Sequence, residues 1–309
     1  MEQEGNGVSS DEHVFLTGRP PMGEFLGFVT GQTVGGSDKD LPMLADRWRR
    51  ANDHIRELQI QEAGWADSPS LAPIPQELEA LRESVLADPM YQRSFQIVPA
   101  EVLMVELDRL VVFQKHINLE YVAKLKRDMG TDLSGDRIFR LCLPVDHPQP
   151  PFTSGRIAQN AFVFLSPSSD LRLLEVVPLS GAQLMNYNSQ GPISGVVAMV
   201  VGFGPNFLNV IHAENRLVLN NGSHRAYALR ELGVTHVPAI VQHVTRRDEL
   251  EVIAPGDLAS KPDLYLHDVR PPLLKDYFDP ALRSTLPVAR KNRQVKVMFG
   301  AEVLDVPAT

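Results

Sequence analysis

Cysteine is almost absent. Cys142 stands alone among 309 residues, which rules out an internal disulfide and any zinc site built from several thiolates. Long apolar runs are missing too, and no stretch approaches the roughly 18 consecutive apolar residues that a membrane helix needs. The acidic, polar start, Met1-Glu-Gln-Glu-Gly5, is unlike a secretory signal, so the cytoplasm is the expected compartment. Positive charge is scarce early on. Residues 1–100 hold 8 Lys/Arg against 16 Asp/Glu, whereas the remainder holds 22 of each, so the net charge of −8 belongs to the first third. That argues against a broad nucleic-acid surface there, because neutralising phosphates takes clustered cations. The late basic run from Arg290 to Lys296 is short and reads as a solvated face. Gly202-Phe-Gly-Pro-Asn206 lacks the Gly-Lys-Ser/Thr of a P-loop and reads as a hairpin turn.

What remains is a chain long enough for one large or two modest domains. Residues 1–40, rich in Gly, Ser and acids, are expected to be partly disordered, with Val14-Phe-Leu16 and Phe25-Leu-Gly-Phe-Val29 able to dock. Residues 41–96 read as a helical extension. Leu44, Trp48, Ile55 and Leu58 share one helix face behind Pro42, and a second helix is expected over Gln76–Ala87, ending before Asp88-Pro89. The pattern then changes. Val102–Phe113 reads as extended, and Leu119–Met129 as a helix capped by Asn118 and closed by Gly130. Strands are expected at 138–145, 161–165, 171–177, 195–201, 207–212 and 216–219, with Ala213-Glu-Asn215 turning the last two into a hairpin. Residues 246–309, broken by prolines, read as a C-terminal arm.

Most of the potential chemistry is concentrated at Leu217-Val-Leu-Asn-Asn-Gly-Ser-His-Arg225. Here an apolar strand passes through an Asn-Gly turn into a helix N-terminus, and Gly233 ends that helix. Such a junction aims free backbone N–H groups at one point and favours an anion such as phosphate. Arg225 adds a forked cation suited to phosphate oxygens. The plain alternative is a structural junction in which Ser223 caps the helix.

This segment, with Leu229-Arg-Glu-Leu-Gly-Val-Thr-His-Val-Pro-Ala-Ile-Val241 behind it, resembles the ParB/sulfiredoxin-like superfamily and its Gly-x-[His/Arg]-Arg motif. A second match runs from Val105 through Gln114-Lys-His116 to Met129 and is similar to that family's opening strand, Gln-containing loop and first helix. The resemblance implies an α+β fold with a mixed sheet: a ParB/sulfiredoxin-like core over 97–245 carrying β-rich insertions. The stretch between first helix and Gly turn is longer than in most relatives, with 144–151 and 180–194 as candidate insertion loops.

The resemblance further implies a nucleotide-phosphate site formed by Asn221, Gly222, Ser223, His224 and Arg225, with Lys115 as an additional cation. ATP or another nucleotide, with or without magnesium, is the implied cofactor. His224 is the candidate acid or base, since its ordinary pKa lies near neutral pH. Two departures limit the chemistry. Sulfiredoxins place their catalytic Cys where this chain has Ser223, and nucleotide-hydrolysing ParB proteins place a Glu there. Gln114 cannot supply the carboxylate base of free serine kinases, and Glu106, Asp108 and Glu120 do not match it. His212, His224 and His236 lack an accompanying acidic pair, so no metal site is assigned. Two functions stay open: a phosphotransferase or nucleotide hydrolase acting on a small substrate, or a non-catalytic DNA-associated or protein-interaction module that keeps the phosphate pocket as a ligand switch. Nuclease activity ranks last. Helix-turn-helix repeats do not follow Val241, so specific DNA binding by the isolated chain is not expected, nor is a membrane partner. A protein partner or a homo-oligomer is compatible with the sequence.

Overall fold

The computed structural model describes residues 9–184, 187–254 and 256–307. It combines helices with mixed sheets in an α+β architecture. Two compact units emerge: residues 9–146 with 206–290 form one, and residues 147–205 with 291–307 form the other. Among the described residues no helix is long and apolar enough to cross a membrane.

The first unit opens with β1 (Ser10–Leu16), α1 (Met22–Gln32) and α2 (Leu41–Gln61). The stretch expected to be partly disordered thus contains an ordered strand and helix from Ser10 onward, and its first eight residues lie outside the described set. Val14, Phe15 and Leu16 are buried, as are Phe25 and Val29, so both apolar stretches dock. Asp40 caps α2 by accepting from Met43 N–H at 3.2 Å, Pro42 sits in its first turn, and Leu44, Ile55 and Leu58 face inward. Next come β2 (Leu71–Ala72), α3 (Glu79–Leu86), α4 (Pro89–Ser94), β3 (Ala100–Glu106), β4 (Val111–Val112), β5 (His116–Asn118) and α5 (Leu119–Met129). Asn118 accepts from Tyr121 N–H at 3.0 Å, Val122, Leu125 and Met129 are buried, and Gly130 closes the helix at φ 65°.

One element corrects the sequence reading. The strand expected at 138–145 is instead α6 (Gly135–Cys142). A short apolar run is ambiguous in period. Here Phe139 and Cys142, three apart, bury one helical face, while Asp136 and Arg140 pair along the exposed face at 2.9 Å.

The chain then leaves the first unit for β6 (Thr153–Ala158), β7 (Ala161–Ser166), β8 (Leu171–Leu179) and β9 (Val196–Phe203). It returns through β10 (Asn209–Ala213), β11 (Arg216–Asn221), α7 (Ser223–Glu231), β12 (His236–Val244), α8 (Arg247–Ile253), α9 (Gly256–Ser260), α10 (Pro262–Leu266) and β13 (Arg283–Ala289). The stretch read as a C-terminal arm is therefore folded, and β13 pairs with β1 along seven residues.

A six-stranded mixed sheet, β2-β3-β12-β10-β11-β4, forms the middle of the first unit, and β13-β1-β5 forms a smaller sheet. Alternate residues of the β10–β11 hairpin face opposite sides. Val210, Leu217 and Leu219 join a core with α5, α6 and α7, whereas Ile211, Ala213 and Val218 pack with Leu250, Leu258 and Tyr265. Glu214 and Asn215 turn that hairpin with φ of 47° and 67°, the left-handed pair a two-residue turn needs. Pro238 sits inside the central strand β12 without breaking the ladder. Ile240 N–H reaches Leu208 O at 2.9 Å, and Pro238, two residues earlier, would point the same way, beyond the start of β10 pairing at Asn209.

In the second unit β14 (Arg293–Met298) and β6 flank β7, and β8 pairs with β9 as a separate two-stranded ribbon. The sequence reading had no strand at β6, whose Thr-Ser-Gly-Arg-Ile-Ala lies exposed throughout.

Candidate functional site

The parallel pairing of β11 with β4, Val218 to Val111 and Leu219 to Val112, lays the two motif-bearing segments side by side. Their following loops consequently meet. Ser223, buried at the start of α7, donates its hydroxyl to Gln114 Oε1. Gln114 in turn accepts through its backbone carbonyl from Tyr277 Oη at 2.5 Å.

Gly222 has φ 96° and ψ 20°, a left-handed conformation that side chains disfavour. A Cβ there would also come within 3.0 Å of Leu208 Cγ and 3.2 Å of Arg225 Nη2. Asn221 reaches the surface, and its amide nitrogen donates to Phe207 O at 2.9 Å.

Arg225 lies where the sequence did not place it. The guanidinium folds beneath the turn and is buried, with Nη1 donating to the carbonyls of Asn206 at 2.7 Å, Cys142 at 3.0 Å and Leu141 at 3.2 Å. The expectation of a phosphate ligand is corrected: this cation terminates α6 and anchors the chain entering β10. The carbonyls it binds include the C-terminal end of α6, which carries partial negative charge.

His224 is likewise committed. Its Nε2 accepts from Asn118 N–H at 3.1 Å, and Tyr121 packs edge-on at 5.2 Å between ring centroids. Burial, reinforced by His13, His116 and Arg225, pushes its pKa down to about 4. At neutral pH the ring is uncharged and its accepting lone pair is occupied, a poor arrangement for an acid or base.

Lys115 is in the neighbouring cleft rather than at the turn. Its ammonium bridges Glu24 and Asp257, the latter at 3.0 Å. Burial alone would lower its pKa, and the bonds to the two carboxylates outweigh that and raise it. Gln114, Arg19 and Tyr265 line the same cleft, which holds about 60 Å³ of free space. Pockets that enclose drug-sized ligands hold roughly 300–1,000 Å³, so the cleft takes a small group and not a whole nucleotide.

The sequence reading missed Arg19 altogether. Gly18, at φ 86°, presses against Ala51 so closely that a Cβ would fall 2.7 Å from its carbonyl carbon. That packing fixes the Gly-Arg-Pro-Pro loop and leaves Arg19 half-buried, with its Nε out of solvent and without a hydrogen-bond partner among the described residues. The Gly before Arg-Pro-Pro was the available signal. The three histidines considered for a metal do not converge. His212 pairs instead with His243 on the adjacent strand, Nδ1 to Nδ1 at 3.2 Å, and His236 contacts Thr235. Among the described residues no group of three His, Cys, Asp or Glu side chains is placed to hold a metal ion.

Comparison with protein-family models, with curated proteins and with solved structures returned no match.

Proposed function

We propose that the protein is a non-catalytic binding module on a ParB/sulfiredoxin-like core, in which the Asn221–Arg225 turn receives a nucleotide phosphate and acts as a ligand switch for a protein partner. The supporting observation is the fate of the motif side chains. Ser223, His224 and Arg225 are each committed to a bond inside the protein, so side-chain chemistry is spent on building the junction. The first-turn N–H groups of α7 cannot be satisfied within their own helix, and they are the donors that remain for an anion. Phosphate binding in this reading rests on backbone, with Lys115 and Arg19 outside the first contact. Magnesium would arrive with the nucleotide.

Calorimetric titration of the full chain with ATP, ADP, CTP and GTP, with and without magnesium, tests this, paired with an assay for released phosphate. The expected result is saturable binding of at least one nucleotide with no multiple turnover. Turnover that disappears in His224→Ala would establish an enzyme instead. Absence of binding by all four nucleotides and by inorganic phosphate would end the phosphate-site reading.

A further inference from the structure

The cleft beside Lys115 carries more donors than its own acceptors occupy. Lys115 binds both Glu24 and Asp257, the only carboxylates that line the cleft among the described residues. Three other lining side chains hold donors that stay uncommitted there. Lys261 is exposed just before α10, and its ammonium makes no hydrogen bond or ion pair. Gln114 accepts from Ser223 through Oε1, which leaves its amide Nε2 free. Arg19 reaches Asp268 through Nη1 at 3.6 Å and the carbonyl of Arg270 through Nη2, while its Nε is out of solvent with no partner. A donor held away from water costs stability until an acceptor reaches it. Around these groups the wall is apolar, formed by Pro20, Pro21, Phe113 and Leu264.

We propose that this cleft binds a short-chain aliphatic monocarboxylate, of the size of acetate to butyrate. Its carboxylate accepts from Lys261, Gln114 and Arg19, and its alkyl tail lies against the two prolines, Phe113 and Leu264. Charge decides the sign of the ligand. Lining cations outnumber lining anions three to two, and Lys115 already occupies both anions, so the uncommitted charge is positive. A cationic ligand would have to displace Lys115 from two carboxylates. Size is set by the free space of about 60 Å³, which admits only a few heavy atoms. The apolar wall selects a carboxylate over inorganic phosphate, whose remaining oxygens would lose water against prolines without gaining donors. This inference is independent of the nucleotide reading.

Saturation-transfer NMR and calorimetry of the full chain with sodium propionate, at ionic strength fixed by sodium chloride, test the proposal. Saturable binding with a dissociation constant on the order of 1 mM or tighter is the expected result. Hexanoate, too long for the space, and inorganic phosphate should fail to displace propionate. Lys261→Gln removes the uncommitted cation and should weaken propionate roughly tenfold. Gln114→Glu keeps an acceptor for the Ser223 hydroxyl but sets a negative charge in place of the amide donor, and should abolish binding. Leu264→Trp fills the cleft without altering its charge and should abolish binding too. Lys261 and Leu264 are both exposed, so circular dichroism should show these two variants folded. A native chain that does not bind propionate, phosphate bound more tightly than propionate, or propionate binding unchanged by Lys261→Gln and Leu264→Trp would each overturn the proposal.

Discussion

One nitrogen of the Arg225 guanidinium stands 3.0 Å from the carbonyl oxygen of Cys142, the last residue of α6, and the same nitrogen also reaches Leu141 and Asn206. A motif arginine thus holds together two places far apart in sequence: the end of a helix that precedes the second unit, and the point where the chain returns from it. Its position 3.2 Å from where a Gly222 Cβ would stand ties the turn to the same bolt. The junction is a mechanical centre of the first unit, whatever binds at its surface.

Arg225→Ala should therefore act on stability. It removes a buried charged donor and leaves buried carbonyls without partners, a loss of about 3 kcal/mol or more. Arg225→Lys should recover part, because an ammonium fits the carbonyl cluster less well than a planar fork. Chemical denaturation gives the stability, and nucleotide titration below the unfolding transition gives affinity. The expected pattern is a large drop in the first and little change in the second. The reverse pattern would return Arg225 to the role of phosphate ligand.

Gly222 and Gly27 should respond in opposite directions to alanine. Gly222→Ala meets both a left-handed backbone and the close approach of Leu208, and should cost about 1–3 kcal/mol. Gly27 lies inside α1, and a methyl group added there would have nothing within 4 Å, so Gly27→Ala should stabilise by roughly 0.5–1 kcal/mol. Denaturation midpoints of the two variants check this. Equal effects would show that conformational strain at the turn is negligible.

Local signals were legible in the sequence. The Asn118 cap, the Pro42 start of α2, the β10–β11 hairpin and the strand–Gly–helix junction all depend on residues within a few positions of one another. The α6 helix was not legible, because a short apolar-rich run satisfies strand and helix periods alike. The site failed at a different level. Nothing near Arg225 in sequence reveals that its acceptors come from residues 141, 142 and 206, and nothing near Lys115 reveals Glu24 and Asp257. Residue type announced a cation in each case, and tertiary packing decided what it would neutralise.

Cys142 should be inert in the folded protein. It is fully buried, and burial pushes its thiol pKa up to about 12, with Arg225 offsetting only part of that shift. The thiolate is the reactive form, so iodoacetamide at pH 8 should modify Cys142 only after denaturant unfolds the chain. For the same reason, and because Ser223 would take the place of the catalytic thiol in the proposed ParB/sulfiredoxin-like core, no ATP-dependent recovery of a sulfinylated peroxiredoxin should be measurable. Stoichiometric labelling of the native protein within minutes would contradict the first expectation, and ATP-dependent recovery of the peroxiredoxin the second.

Acid should weaken the fold before its carboxylates titrate. Burial, followed by the neighbouring charges of His13 and Lys115, pushes His116 down to about 4, and His224 is likewise held near 4. Both are neutral in the native state, whereas in the unfolded chain each takes up a proton near its ordinary value of 6.5. The unfolded state thus binds more protons between these limits, and stability is full above about pH 6.5 and declines as pH falls toward 4. The steepest slope is about 1.4 kcal/mol per pH unit for each histidine. The lowered carboxylates Asp11, Glu62 and Glu214 contribute stability that is lost at still lower pH. His224→Gln keeps an acceptor for Asn118 N–H but cannot titrate, so it should remove one histidine's share of the slope between pH 6.5 and 4, leaving that of His116 and of His13 and His212, which burial also lowers. Urea denaturation across that range in native and variant protein measures the difference. Parallel curves would mean that His224 is protonated as readily in the fold as outside it.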